Sequence, residues 1–60
     1  MEEILKKYIQ KINNWKDIYI DYHNIDGANC EVIFYTDVSR QYKENININI
    51  WDMMIFLNVS

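Results

Sequence analysis

The sequence predicts an α+β fold, in which one N-terminal amphipathic helix packs on a small, mainly antiparallel β-sheet. Three patterns support this prediction. Apolar residues recur at helical spacing over residues 2–14, alternate with polar residues on both sides of an Asp-Gly pair in residues 17–36, and alternate again over residues 45–50. A chain of 60 residues is expected to form one small domain, residues 1–60.

The first predicted element is a helix over residues 2–14. Its apolar residues fall on one face, and its lysines and other polar residues fall outside that face. Glu2 and Glu3 lie in the first turn and the lysines follow, an order that suits the helix dipole. The apolar face consists of Ile4, Leu5, Tyr8, Ile9, Ile12 and Trp15.

A β-hairpin is predicted over residues 17–36, with Asp26-Gly27 in its turn. A two-residue loop would place Glu31 on the apolar face, whereas a three-residue loop from Ile25 to a left-handed Gly27 keeps that face apolar. Because a one-residue slip exchanges the two faces, the three-residue loop is preferred. It predicts the cross-strand pairs Tyr22–Cys30, Ile20–Val32 and Ile18–Phe34.

The C-terminal region, residues 45–59, is predicted as a strand with a kink or bulge near Asp52. Asparagine and isoleucine alternate strictly over residues 45–50, and residues 37–45 are expected to form a loop or a single helical turn. From residue 51 onward the apolar positions fit both a strand and a helix, and the strand is preferred. An uncharged alternating strand pairs readily at a free edge, so it is expected either inside the sheet or against a second chain.

A homodimer is the expected assembly. The single cysteine cannot form an internal disulfide, and no zinc-ligand spacing is present. A core this small usually needs a further source of stability, and a partner chain is the one that remains. The predicted dimer interface is the apolar part of the C-terminal region: Ile46, Ile48, Ile50, Trp51, Met53, Ile55 and Leu57.

The net charge of −3 is unevenly distributed. Residues 1–16 carry four lysines against two glutamates, whereas residues 17–37 carry five acidic residues and no basic one. An acidic hairpin favours a basic-surfaced protein partner over direct contact with nucleic acid. The acidic N-terminus and the short apolar runs predict a cytoplasmic location without membrane contact, in the host cytoplasm if the protein is encoded by a phage.

The outward face of the hairpin is the predicted partner-binding surface. Aromatic and aliphatic side chains among carboxylates are typical of protein interfaces. Packing against another strand of the same sheet, or against the partner of a dimer, explains the same pattern at least equally well. In the preferred register this surface consists of the opposed pairs Asp21–Glu31, Asp17–Tyr35 and Tyr19–Ile33.

The sequence does not predict an enzyme. His23 and Cys30 are the residue types of a base and a nucleophile, but the preferred register places them on opposite faces and supplies no orienting group. Asp21, His23 and Glu31 are placed on one side of the hairpin, yet their spacing is not specific for a metal, so no metal or other cofactor is predicted.

The predicted function is that of a small non-enzymatic inhibitor that binds a larger protein. Isoleucine, asparagine, lysine and tyrosine make up 29 of the 60 residues, and their AT-rich codons indicate a low-GC bacterium or its phage. We therefore expect a phage protein that blocks a bacterial defence or nucleic-acid enzyme. Two alternatives stay open: an antitoxin or immunity protein, and a homodimer that binds a metal or small molecule.

Overall fold

The computed structural model describes residues 1–58, which form two helices and one antiparallel sheet. The elements follow the order α1 (Glu2–Asn13), β1 (Tyr19–Asp26), β2 (Asn29–Tyr35), β3 (Lys43–Asn49) and α2 (Ile50–Leu57). The strand order β1-β2-β3 makes β2 the central strand and leaves β1 and β3 at the edges. The predicted α+β class, with a helix and a small antiparallel sheet, is confirmed.

The N-terminal helix forms as predicted. α1 buries Leu5 and Ile9 and ends at Asn14, which takes a left-handed conformation with φ of 56°. Trp15 lies just beyond the helix and packs against Phe34 of β2, with ring centroids 5.2 Å apart. This contact fixes the connection between α1 and the sheet.

The hairpin turn differs from the predicted one. β1 continues through Asp26, which pairs with Asn29, so that Gly27 and Ala28 alone connect the strands. Gly27 is left-handed as predicted, with φ of 62°, whereas Ala28 does not have a positive φ. Glycine with positive φ at the first central position is typical of a type II′ turn. The predicted three-residue loop is therefore wrong.

A β-bulge at Asp21 sets the pairing of the hairpin. Ile20 pairs with Phe34, but Tyr22 pairs with Ile33, because Asp21 is an extra residue in β1. The bulge moves the residues that follow it to the other face relative to the prediction. The predicted pairs Tyr22–Cys30, Ile20–Val32 and Ile18–Phe34 are wrong.

The C-terminal region changes from strand to helix at Asn49. The side-chain Oδ1 of Asn49 accepts a hydrogen bond from the amide of Asp52 at 3.0 Å, which caps the first turn of α2. The predicted strand is confirmed for residues 45–49 and wrong for residues 50–57, which are helical. Val59, the last residue of the predicted strand, lies outside the described residues.

Both helices pack on one face of the sheet. α1 lies against β1, α2 lies against β3, and the two helices contact each other through an edge-to-face pair of Tyr8 and Phe56 with centroids 5.5 Å apart. The opposite face of the sheet is covered by neither helix. The core consists of Leu5, Ile9, Ile18, Cys30, Val32, Phe34, Ile48 and Met53, each at most 3% exposed.

Candidate protein-binding surfaces

The outer face, which is the side of the sheet opposite the helices, is built from alternate residues of the three strands. In β2 every second residue from Cys30 to Phe34 is buried in the core. Glu31, Ile33 and Tyr35 therefore lie on the outer face, because successive strand residues point to opposite sides. Cross-strand pairing adds six residues to this face: Tyr19, Tyr22 and Asn24 from β1, and Lys43, Asn45 and Asn47 from β3.

Three tyrosines and one isoleucine form the aromatic patch of the outer face. Tyr19 pairs with Tyr35 and Tyr22 pairs with Ile33, so the four side chains are direct or diagonal neighbours. Tyr22 is 48% exposed, and the other three are half-buried. Tyrosine offers a large contact area at low entropic cost, which is why it is enriched in protein interfaces.

The structure places four of the six predicted partner-binding residues on the outer face: Tyr19, Glu31, Ile33 and Tyr35. Asp21 occupies the bulge beside them, and Asp17 precedes β1; both are exposed. Asn24 is the residue opposite Glu31, so no second carboxylate is paired with Glu31. The predicted pairs Asp21–Glu31, Asp17–Tyr35 and Tyr19–Ile33 are wrong.

Tyr22 is the outer-face residue that sequence reasoning missed. Strict alternation from Ile18 and Ile20 places Tyr22 on the apolar core face, and only the bulge at Asp21 moves it outward. The sequence contains no local signal for this bulge, because a carboxylate between apolar residues is also the ordinary pattern of a half-buried strand.

The outer face is acidic at one end and basic at the other. Near the hairpin turn, Glu31 accepts a hydrogen bond from the side-chain amide of Asn45 at 3.4 Å. At the opposite end, Lys43 pairs with Tyr35, and the guanidinium carbon of Arg40 lies 5.8 Å from the centre of the Tyr35 ring. The charge count along the sequence did not reveal that these two cations return to this face.

The loop that carries Arg40 is held by Asp37. The carboxylate accepts hydrogen bonds from the Ser39 hydroxyl and, at 3.3 Å, from the Gln41 amide. The bond from Ser39, with further help from backbone amides, holds the pKa of Asp37 below its ordinary value. The amide of Arg40 also donates to the Asp37 carbonyl at 3.1 Å, which fixes the turn before β3.

His23 and Cys30 lie on the same side of the hairpin, where the sequence predicted opposite faces. His23 pairs with Val32, and Ile25 pairs with Cys30. Because Val32 and Cys30 both lie on the core side of β2, His23 and Cys30 lie on the same side of the sheet. Cys30 is fully buried, and burial raises the pKa of its thiol. A protonated, enclosed thiol has the character of a core residue and not of a nucleophile.

The residues considered for a metal site are distributed over both sides of the sheet. Glu31 lies on the outer face, whereas His23 lies on the core side. Within residues 1–58, no three His, Cys, Asp or Glu side chains come together in a way that could hold a metal ion.

A second exposed surface, the α2 flank, consists of Trp51, Met54 and Ile55. These residues are three and four positions apart and share one side of the helix. Trp51 is 66% exposed, Ile55 is 77% exposed and Met54 is 37% exposed. Met53 faces the core and Phe56 contacts α1. Because successive helix residues are rotated by about 100°, Met54 and Trp51 are directed away from α1, whereas Ile55 lies opposite Met53 and points away from the sheet.

The predicted dimer interface divides between the core and the surface. Ile48 and Met53 are 3% and 0% exposed and belong to the core of a single chain, so a partner cannot reach them. Ile46, Ile50 and Leu57 are half-buried. Trp51 and Ile55 are exposed, and the structure adds Met54 to them.

Comparison with protein-family models, with curated proteins and with solved structures finds no match to this chain. Among the described residues, no helix is long and apolar enough to cross a membrane.

Proposed function

We propose that this protein is a non-enzymatic inhibitor that binds a larger protein through the outer face of its sheet. One observation carries the proposal. The aromatic patch lies on the face that both helices leave uncovered, where a folded chain of this size would otherwise expose polar residues to water. Tyr22 at 48% exposure is its most accessible member.

The charges around the patch favour one orientation of the partner. Glu31 lies near the hairpin turn, and Arg40 and Lys43 lie at the other end of the outer face. The bulge residue Asp21 lies between these two ends, beside the pair of Ile20 and Phe34. A basic groove of the target would meet the acidic end, and carboxylates of the target would meet the basic end. Charges at the rim of an interface act mainly on the association rate and on the choice of partner.

The target class that we propose is a basic-surfaced bacterial defence or nucleic-acid enzyme, with the inhibitor encoded by a phage and acting in the cytoplasm. The composition supports the source, and the acidic hairpin supports the basic surface. An antitoxin or immunity protein would use the same face in the same way, and identification of the target distinguishes the two.

The test is affinity capture from a low-GC bacterial lysate with the immobilised protein, followed by purification of the captured protein and measurement of its activity. We expect Tyr22→Ala to weaken binding of the purified target by roughly 5–30-fold, the effect of an interface residue worth about 1–2 kcal/mol. The double variant Asp21→Lys with Glu31→Lys is expected to slow association in low salt.

Ile12→Lys is the matched control, because Ile12 is a 42% exposed apolar residue of α1 that lies outside the outer face. It is expected to capture the target as the wild type does. The proposal fails if the outer-face variants capture and inhibit as strongly as the wild type, or if the captured protein keeps full activity in the complex.

A further inference from the structure

We propose that the free edge of β3 and the α2 flank form one continuous seam, at which a second copy of this chain pairs antiparallel to extend the sheet to six strands. This seam gives the expected homodimer a location. It uses the backbone edge of β3 and the side of α2, and not the aromatic patch of the outer face, so it is tested separately from target binding.

The two edges of the sheet differ in how they are protected. β1 contains the bulge at Asp21 and ends on Asp26, and both a bulge and charged residues discourage pairing with another chain. β3 runs in unbroken register with β2 and has no charge from residue 45 to residue 49. The β3 edge is therefore the unprotected one.

The hydrogen-bond pattern shows which backbone groups of β3 are free. Ile50 donates its amide to the carbonyl of Ala28 at 2.8 Å, which continues the β2–β3 register by one residue. Since bonded positions alternate in an antiparallel pair, the even-numbered residues of β3 bond to β2. The amides and carbonyls of Asn45 and Asn47 therefore point outward from the sheet.

The α2 flank lies on the same side of the molecule as this edge. α1 covers β1 and α2 covers β3, so the side of α2 directed away from α1 is the side above the β3 edge. A two-fold axis that pairs β3 with its copy would bring the two flanks together above the new strand pair. Trp51 and Met54 of each chain would then pack against those of the other, with Ile55 at the rim of the contact.

The area and the charge favour a second copy as the occupant. The exposed parts of Trp51, Met54 and Ile55 amount to roughly 400 Å² per chain, so two flanks supply at most about 800 Å². Strand pairing adds to this area, and the sum approaches the lower limit of a specific interface, about 1,200 Å². The paired segments, residues 45–49, are uncharged, so antiparallel pairing of two copies opposes no like charges.

The test is sedimentation equilibrium of the full chain from low to high micromolar concentration. We expect the wild type to be a reversible dimer. Asn47→Pro removes only an outward amide and leaves the β2–β3 bonds in place, and it is expected to weaken the dimer at least about tenfold. Asn47→Ala, which keeps the amide, is the control and is expected to dimerise normally.

Trp51→Lys tests the flank, with Ile12→Lys on α1 as its control. We expect Trp51→Lys to weaken the dimer at least about tenfold and Ile12→Lys to leave it unchanged. Circular dichroism of each variant verifies that it folds. In the wild type, amide hydrogen exchange at Asn45 and Asn47 is expected to slow as the protein concentration rises, a measurement that needs no variant.

A wild type that stays monomeric at every concentration measured overturns the proposal. This outcome includes the alternative that the β3 edge binds a peptide of another protein instead of a second copy. A dimer that withstands both Asn47→Pro and Trp51→Lys overturns it as well, as does exchange at Asn45 and Asn47 that is fast at every concentration. Tyr22→Ala, which acts on the outer face, is expected to leave the dimer intact, so the two proposals fail separately.

Discussion

The contact between Trp15 and Phe34 is predicted to couple the end of α1 to the central strand. Phe34 is 1% exposed, and its ring lies 5.2 Å from that of half-buried Trp15 at an angle of 53°. Replacement of either ring by leucine removes the aromatic contact and part of the buried area, at about 1–2 kcal/mol each. The ring pair itself should contribute about 0.5–1.5 kcal/mol beyond burial.

A double-mutant cycle isolates this pairwise contribution. The wild type, Trp15→Leu, Phe34→Leu and the double variant are unfolded in urea and followed by far-ultraviolet circular dichroism. All four proteins are measured at one protein concentration, because a dimer makes the apparent stability depend on concentration. A 60-residue domain has roughly 3–9 kcal/mol of stability, so both single variants should remain folded.

We expect the double variant to lose about 0.5–1.5 kcal/mol less than the sum of the single losses. The control cycle pairs Trp15→Leu with Ile25→Val and should be additive. Ile25 is 46% exposed and pairs with Cys30 beside the hairpin turn, four strand positions away from Phe34. Additivity of the Trp15 and Phe34 variants within about 0.3 kcal/mol would refute the packing described between α1 and β2.

Three further predictions concern local features of the fold. Asn49→Ala removes the cap of α2 and should cost about 1 kcal/mol in urea unfolding, whereas the exposed Asn47→Ala should cost less than about 0.5 kcal/mol; equal losses would contradict the capping role. Gly27→Ala forces a left-handed alanine and should cost roughly 1–2 kcal/mol of stability. Each kcal/mol lost should lower the melting temperature by about 4–8 °C, and an unchanged melting temperature would contradict the type II′ turn. The pKa of Asp37 is lowered mainly by the Ser39 hydroxyl. The ionised Asp37 carboxylate therefore stabilises the fold at a pH above the ordinary carboxyl pKa, and this stabilisation disappears as the pH falls through the folded-state pKa. Asp37→Asn should therefore be less stable than the wild type at neutral pH, with a gap that closes below about pH 4 in thermal melts; a gap independent of pH would be inconsistent with this sign.

The N-terminal helix could be predicted from the sequence because it has a single periodicity. Its apolar residues repeat at helical spacing, and the polar residues between them give no competing strand pattern. The observed bounds, Glu2–Asn13, differ from the predicted ones by one residue at the C-terminal end.

The hairpin was predicted as an element but not in its register. Ile18 and Ile20 both face the core, and Tyr22 continues their alternation, so strict periodicity assigned all three to one face. The bulge at Asp21 breaks that alternation within one strand. A bulge depends on how the two strands pair over their whole length, which a single-strand pattern does not contain.

The C-terminal helix could have been predicted from its cap. The apolar residues after Asn49 fit both periods, so hydrophobicity alone does not choose between helix and strand. An asparagine followed three residues later by an acidic residue is a helix-start signal, and here Asn49 accepts the amide hydrogen bond of Asp52. The flank of α2, and with it the seam, follows from this change of element.

In-cell photo-crosslinking tests the central claim most directly, namely that the outer face binds another protein. A benzoylphenylalanine at Tyr22 probes the outer face, and the same group at Ile12 probes the exposed side of α1. After irradiation of low-GC bacterial cells, we expect a covalent adduct with one larger protein from position 22 and none from position 12. Adducts of equal yield from both positions, or the absence of a larger adduct from position 22, would contradict the account.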